Sequence, residues 1–227
     1  MIYSEFEKVI TPARLGRYRT ACGGDTRKAM TLYRKNLKLS QEMFTVLSCF
    51  EVALRNEIDK HYTPIHGNDW LRDAAAVGGF LDRNKTRTAQ DTINKAIANL
   101  GTGYTHYKLV AELGFGFWRY MFSNYQFAYA GRTLLNVFPL LPATTLTINY
   151  NHNFILQQLA QINKLRNRIA HHEPICFQPR FAIKNTTYAR QHYNLIIQLF
   201  QWMQIDESAL LYGLDHINTI CNDIDAL

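Results

Sequence analysis

Cysteine is scarce in this sequence, and long apolar runs are absent. The four cysteines, Cys22, Cys49, Cys176 and Cys221, form no CxxC pair and lack the spacing of a metal site, so we expect reduced thiols of a cytosolic protein. No apolar run reaches the roughly 18 residues of a membrane-spanning helix, and the amino terminus lacks the apolar segment of a signal peptide. The sequence therefore predicts a cytoplasmic protein with no membrane span.

Positive charge is missing from the carboxyl-terminal end. No Lys or Arg follows Arg190, whereas five acidic residues do. Residues 1–190 therefore hold all 25 basic residues but only 13 of the 18 acidic ones, and the whole chain has a net charge of +7. A basic body favours a polyanionic partner, for which nucleic acid is the first candidate. Hydrophobic residues make up 47% of the chain, which argues for a folded globule and against a disordered adaptor.

Helical periodicity dominates the sequence, and no pair of alternating runs joined by a tight turn indicates a sheet. We therefore expect an all-α fold of about seven to nine helices, arranged as one domain over residues 1–227. Asp25 and Ser40 are the predicted N-caps of separate helices over 26–36 and 41–61. Further helices are predicted over 82–100, 187–203 and 206–224.

One predicted helix concentrates reactive side chains near its end. Apolar residues recur at three- and four-residue steps from Phe154 to Ile169, and Pro174 predicts that this helix ends near His172. Its last turns hold Arg166, Asn167, Arg168, His171 and His172. In helical geometry Asn167 and His171 share a face, and Arg168 lies over His172.

Histidine beside guanidinium groups suits acid–base chemistry on a phosphate. Imidazole titrates near neutrality, and arginine stabilises negative charge that develops on phosphate oxygens. A simpler alternative is a solvated cluster of cations, which the macrodipole favours at a helix C-terminus. The rest of the chain has to decide between these two interpretations.

The arrangement of Arg166, Asn167, His171 and His172 resembles the R-x4-6-H signature of the HEPN superfamily of helical RNA-cleaving domains. The longer string RNRIAHHEPI resembles the corresponding motif of the Abi-like proteins of bacterial abortive infection systems, the AbiD and AbiF group. The stretches GDTRKAMTLYRKN, EVALRN, GNDW and FGFW resemble further segments of that family. This likeness covers most of residues 14–175 and is less distinctive for the helices over 187–224.

This resemblance implies a metal-independent endoribonuclease, without a cofactor, of a phage-defence or toxin–antitoxin system. His171, with His172 second, would be the acid–base group, Arg166 would stabilise the phosphate, and Asn167 would hold the imidazole or the phosphate. Neighbouring histidines of one helix reach both sides of a scissile phosphate poorly, so the resemblance also implies a homodimer with a composite cleft. RNA is the expected substrate, and an antitoxin or an RNA would be the regulator.

The EVALRN stretch supplies a second group of candidates. Glu51 and Arg55 are four residues apart, the spacing of a helical ion pair, with Asn56 beside them. These residues either support RNA binding, as Arg168 would, or pin two helices together. Arg55, Asn56 and His61 also satisfy R-x4-6-H, but His61 stands alone, so we rank this group below the later motif.

Two other interpretations of the histidine motif stay open. The same residues would grip phosphate without cutting it in a non-catalytic RNA- or protein-binding HEPN module. His171 and His172 would instead be metal ligands if a third ligand approached, although adjacent helical positions point about 100° apart. The basic face of the 82–100 helix, with Arg83 and Lys85, is expected to be solvated, and the FGFW aromatics are expected to pack in the core.

Overall fold

The chain is helical throughout, as the sequence predicts. A computed structural model describes residues 1–227 and contains no β-strand, only one isolated antiparallel bridge between Phe177 and Lys184. Its twelve α-helices are α1 (Tyr3–Ile10), α2 (Pro12–Ala21), α3 (Thr26–His66), α4 (Trp70–Ala75), α5 (Arg87–Leu100), α6 (His106–Glu112), α7 (Phe115–Tyr120), α8 (Asn124–Tyr129), α9 (His152–Ala170), α10 (Thr187–Trp202), α11 (Glu207–Leu210) and α12 (Ile217–Asp225).

The expected number of seven to nine helices is too low. Several helices span only four to seven residues, which is too short for an apolar period to be recognised in the sequence. Three 3₁₀ turns, at Asn84–Thr86, Gly101–Gly103 and Leu134–Val137, add further short pieces. None of the helices combines the length and the apolar character that crossing a bilayer requires.

The predicted break at Ser40 does not exist. Residues 26–66 form the single 41-residue helix α3, because the buried positions continue at helical spacing through Asn36, Leu39 and Met43. The hydroxyl of Ser40 therefore does not cap a helix. At the start of α3 the prediction is confirmed, since Oδ1 of Asp25 accepts hydrogen bonds from the main-chain N–H groups of Arg27 (2.9 Å) and Lys28 (3.0 Å).

The carboxyl-terminal helices confirm one prediction and correct another. Helix α10 covers Thr187–Trp202, close to the predicted 187–203. The helix predicted over 206–224 is divided into α11 and α12, because the chain turns at Gly213, whose φ of 72° lies in the left-handed region.

Two compact units make up the chain. The first unit comprises residues 1–48, 164–198 and 207–227, and the second comprises 49–163 and 199–206. Large fully buried side chains of the first unit include Leu15, Leu32, Leu39, Met43 and Phe177. Those of the second unit include Phe50, Tyr62, Trp70, Trp118 and Phe122. Each unit therefore has an apolar core of its own.

Candidate active site at the end of helix α9

Helix α9 ends in a turn that main-chain hydrogen bonds close. The N–H of His172 donates to the carbonyl of Ile169 (2.9 Å), and the N–H of Glu173 donates to the carbonyl of Arg168 (2.8 Å). This pair of bonds is the Schellman arrangement, in which a residue with positive φ, usually glycine, follows the helix. Here that residue is His172, with a φ of 56°. A side chain at this position costs about 1 to 2 kcal/mol relative to glycine.

The turn changes one expected side-chain arrangement and keeps another. The N–H of His171 still donates to the carbonyl of Asn167 (2.9 Å), so these two residues lie one turn apart as predicted. His172 has left the helix, and its imidazole is therefore not in the helical register that would place it under Arg168. The prediction that Arg168 lies over His172 is accordingly wrong.

Arg168 holds the turn in place. Its Nη2 donates to the carbonyl of Pro174 (2.7 Å), and its Nε lies 3.3 Å from a carboxylate oxygen of Glu173. Its guanidinium carbon also lies 4.7 Å from the ring centroid of Tyr188 in α10. Because these contacts occupy the guanidinium, Arg168 fits a supporting role better than direct contact with a ligand.

Tyr188, which contacts Arg168, packs in turn against a buried histidine of α10. The rings of Tyr188 and His192 lie 4.2 Å apart between centroids, and Nδ1 of His192 is 2.8 Å from the carbonyl of Tyr188. Burial lowers the pKa of His192 below its ordinary value. Arg168, Tyr188 and His192 therefore form a contiguous cluster, which could not be predicted from the sequence because its members belong to two helices.

Two further residues fix the turn from outside α9, and neither was predicted from the sequence. Arg14 in α2 donates from Nη2 to the carbonyl of His172. Asn36 in α3 is only 3% exposed, and its Oδ1 accepts a hydrogen bond from the N–H of Ile175 at 2.9 Å. A polar residue on the otherwise apolar stripe of α3 was the one signal that could have marked Asn36.

The segment after the turn, residues 174–186, is tied to α2 as well. Nη2 of Arg17 donates to the carbonyl of Gln178 (3.0 Å), and its Nε donates to the carbonyl of Phe181 (3.1 Å). The guanidinium of Arg17 also lies 4.5 Å from the ring centroid of Phe177. This segment is therefore held by its main chain, while the side chains of Phe181 and Ile183 are each 54% exposed.

The predicted catalytic side chains differ from these supports in their surroundings. Asn167, His171 and His172 are exposed, and their side chains make no hydrogen bond or ion pair within the chain. Arg166 is half-buried in the same last turns of α9. The first unit thus presents an amide and two imidazoles to solvent on a main chain that is fixed by Arg14, Asn36 and Arg168.

Neither the nearby thiol nor the distribution of metal-ligating side chains suggests a different chemistry. Cys176 lies two residues beyond Pro174, but burial raises its pKa to about 12, so the thiol stays protonated and is a poor nucleophile. No group of three or more His, Cys, Asp or Glu residues is placed to hold a metal ion. His171 and His172 therefore have no third ligand within the chain.

The second group of candidates lies in the second unit. Glu51 is half-buried and Asn56 is exposed. Nη1 of Arg55 lies 3.4 Å from the carbonyl of Ala111, and its buried Nε has no hydrogen-bond partner. His61, the alternative histidine, has its Nε2 2.9 Å from the hydroxyl of Thr133, and burial lowers its pKa. Contact with Thr133 makes His61 less available than His171.

The fold and this turn define an all-helical protein with histidines and an arginine at the end of one helix. Comparison with family models identifies the class, because the model described as Abi-like protein matches residues 3–176. This chain belongs to the Abi-like protein family, and membership indicates a role in abortive infection. The match includes every predicted site residue and leaves α10 to α12 outside it. No curated protein and no solved structure matches the chain significantly.

Proposed function

We propose that this protein is a metal-independent endoribonuclease of the HEPN type that acts in phage abortive infection or as the toxin of a toxin–antitoxin system. One observation carries the proposal: Asn167, His171 and His172 are exposed and unbonded, while Arg14, Asn36 and Arg168 fix the main chain beneath them. Reactive groups on a rigid frame are what a catalytic site requires, because their geometry is set before the substrate arrives.

The proposed reaction is attack by a ribose 2′-hydroxyl on its own phosphate. His171 removes the hydroxyl proton, a P–O2′ bond forms, and the P–O5′ bond breaks once a second imidazole protonates the leaving oxygen. Arg166 stabilises the negative charge on the phosphorane-like transition state, and Asn167 donates a hydrogen bond to the phosphate. The products are a 2′,3′-cyclic phosphate and a 5′-hydroxyl end.

The second imidazole comes from another copy of the chain in this proposal. Leu37 and Phe44 of α3 are 45% and 48% exposed and lie seven residues apart on one side of the helix, and this side of α3 is the one that would contact the second copy. Leu37 directly follows Asn36, whose side chain holds the main chain after the turn. Exposed apolar residues next to a site favour a protein interface there, and a two-fold axis would bring two His171 residues together.

The test is an RNA cleavage assay in EDTA with structured and single-stranded RNA. We expect cleavage with cyclic phosphate ends by the wild type and a loss of about 10²- to 10⁴-fold in His171→Ala. His216→Ala is the matched control, because His216 is also exposed but contacts only Glu42 at the surface (3.3 Å). Circular dichroism and thermal unfolding establish that both variants are folded.

A second variant separates the imidazole of His172 from its main-chain role. His172→Gly keeps a residue suited to positive φ, so the turn is retained and any loss of cleavage reports on the imidazole. Undiminished cleavage in His171→Ala, or products with 3′-hydroxyl ends, would overturn the proposal. RNA binding without cleavage by the wild type would instead support the non-catalytic module. A protein antitoxin or a regulatory RNA would be expected to cover the exposed imidazoles.

A further inference from the structure

A concave surface lies in the second unit, formed by α5 and the segment from α7 to α8. It encloses about 560 Å³, a volume typical of small-ligand sites. We call it the tyrosine cleft, and its lining includes Lys85, Thr92, Phe117, Tyr120, Tyr125 and Gln126. No acidic residue lines this cleft, so an anionic ligand would meet no carboxylate there.

Large aromatic rings at this surface remain in solvent. Tyr120 is 51% exposed and Tyr125 is 45% exposed, although burying such rings in a core is strongly favourable. The FGFW stretch explains part of the arrangement, because Phe115 and Trp118 pack in the core as the sequence predicts, at 3% and 0% exposure. Its other aromatic, Phe117, is half-buried and lines the cleft.

Cations accompany these rings. The guanidinium carbon of Arg119 lies 4.3 Å from the ring centroid of Tyr120, and Nζ of Lys85 lies 5.7 Å from that of Tyr125. Arg83 approaches Tyr129 in the same way, at 5.9 Å. Exposed aromatic rings combined with basic side chains are the combination that single-stranded nucleic acids bind, because bases stack on the rings and phosphates pair with the cations.

Polar groups at the cleft can contact the edge of a base. The hydroxyl of Ser123 donates to Oε1 of Gln126, and the NH₂ group of Gln126 makes no hydrogen bond within the chain. Amide and hydroxyl groups at a stacking surface recognise the carbonyl and ring nitrogen atoms of bases. The lining therefore offers stacking, hydrogen bonding and positive charge together.

We propose that the tyrosine cleft binds a nucleobase and its phosphate, with the base stacked on Tyr120 or Tyr125 and the phosphate at Lys85. The inference rests on the proposed function, because it names groups that would recognise the RNA in addition to those that would cleave it. It also revises the expectation that the basic side chains at residues 83–85 are merely solvated. A free nucleotide and a nucleotide within single-stranded RNA present the same chemistry to this surface.

Gly116 provides a variant that closes the cleft. It lines the cleft, and a β-carbon added there would meet no atom within 4 Å. Gly116→Met therefore adds a flexible side chain to the lining from a position that is open at the β-carbon, and methionine is also a better helix former than glycine. Tyr120→Ala and Tyr125→Ala remove the rings. Tyr107→Ala is the matched control, because Tyr107 is 81% exposed but lies outside the cleft.

The experiment measures binding by isothermal titration with two probes, a 2′-O-methyl oligouridylate and uridine monophosphate. The first probe lacks the 2′-hydroxyl nucleophile, so it reports binding without cleavage. We expect Gly116→Met and at least one of Tyr120→Ala and Tyr125→Ala to weaken oligonucleotide binding by roughly tenfold, while Tyr107→Ala stays within about twofold. Comparable affinity for the mononucleotide would identify a free nucleotide as the ligand, whereas binding of the oligonucleotide alone would identify single-stranded RNA.

Unchanged affinity in all three cleft variants, each folded by circular dichroism, would overturn the cleft as a binding site. So would a wild type that binds neither probe. The same titration with His171→Ala distinguishes this inference from the proposed nuclease, because a functional cleft binds the oligonucleotide whether or not that variant has lost cleavage. If the wild type cleaves RNA and the cleft variants bind the oligonucleotide with normal affinity, the nuclease proposal would stand and the cleft proposal would be refuted.

Discussion

The end of α9 and the tyrosine cleft both place cationic side chains beside aromatic rings, but different interactions hold the two regions in place. At the end of α9 the main chain is held by polar side chains, since Arg14 and Arg168 donate to carbonyls and Asn36 accepts from an N–H. The wall of the cleft is anchored by apolar burial, since Trp118 and Phe122 are fully buried and directly adjoin the lining residues Phe117 and Ser123 in sequence.

This difference suits two kinds of task. A hydrogen bond to the main chain fixes direction as well as distance, so it can orient a turn while the side chains of that turn stay unbonded. Apolar packing is not directional, but it fixes the shape of a surface. The end of α9 is therefore suited to chemistry that needs aligned groups, and the cleft is suited to recognition by shape and stacking.

Of the substitutions that distinguish the two regions, Trp118→Ala is expected to cause the largest loss of stability. Trp118 is fully buried, and its indole N–H donates to the carbonyl of Leu113 at 2.8 Å. Removing it creates a cavity, so we expect the free energy of unfolding to fall by about 3 to 5 kcal/mol. Urea unfolding followed by fluorescence and far-ultraviolet circular dichroism measures this loss. A decrease below about 1 kcal/mol would contradict the view that apolar burial supports the cleft.

A smaller loss of stability, but a stronger effect on cleavage, is expected from Asn36→Leu. The substitution leaves the buried N–H of Ile175 without its acceptor, which costs about 1 to 3 kcal/mol. Cleavage should fall further than stability explains, because the main chain after the turn is no longer fixed. Asn94→Leu, at an exposed position of α5, is the control for adding a leucine. Full cleavage by a folded Asn36→Leu protein would show that the tether is dispensable.

The smallest expected effect is a dependence of stability on pH that arises at His192. In the folded chain, burial lowers the pKa of His192 below its ordinary value of 6.5. Below about pH 6.5 the unfolded chain therefore binds a proton at this histidine more readily than the folded chain does. The stability associated with the neutral, buried His192 is fully present above about pH 6.5. It is lost as the pH falls from 6.5 toward the pKa of the folded chain. One group contributes at most about 1.4 kcal/mol per pH unit.

The measurement for His192 is the free energy of unfolding between pH 7.5 and pH 5, compared with His192→Gln. Glutamine does not titrate, so the slope over this range should become shallower in the variant. His61, whose pKa burial also lowers, remains in both proteins and accounts for part of the remaining slope. An identical slope in the two proteins would mean that His192 is not linked to folding in this range.

The sequence predicted the candidate site at α9 because its residues are consecutive. Arg166 to Glu173 form one string whose helix and terminating proline can be recognised without any tertiary information. Its supports cannot be recognised in this way, since Asn36 and Ile175 are 139 positions apart and Arg14 and His172 are 158 apart. The tyrosine cleft is similarly hidden, because its walls come from two segments, residues 85–92 and 116–126, that are separate in the sequence.

The fold was predictable in class but not in detail, for related reasons. Helical periodicity was sufficient to establish an all-α chain. Ser40 has the local preference of an N-cap, yet the buried residues on either side of it keep one continuous stripe, so packing overrides that preference and α3 does not break. The short helices α4, α7, α8 and α11 depend on tertiary contacts for their stability, and a local pattern does not reveal those contacts.

The way in which Arg17 holds the segment over 174–186 has a consequence for how this family can diversify. Carbonyl groups accept its hydrogen bonds, and every amino acid supplies a carbonyl. Residues at positions 178 and 181 can therefore be exchanged during evolution without loosening the segment. One scaffold can in this way present different side chains in the segment that follows the two imidazoles, with no change in the hydrogen bonds that hold it to α2.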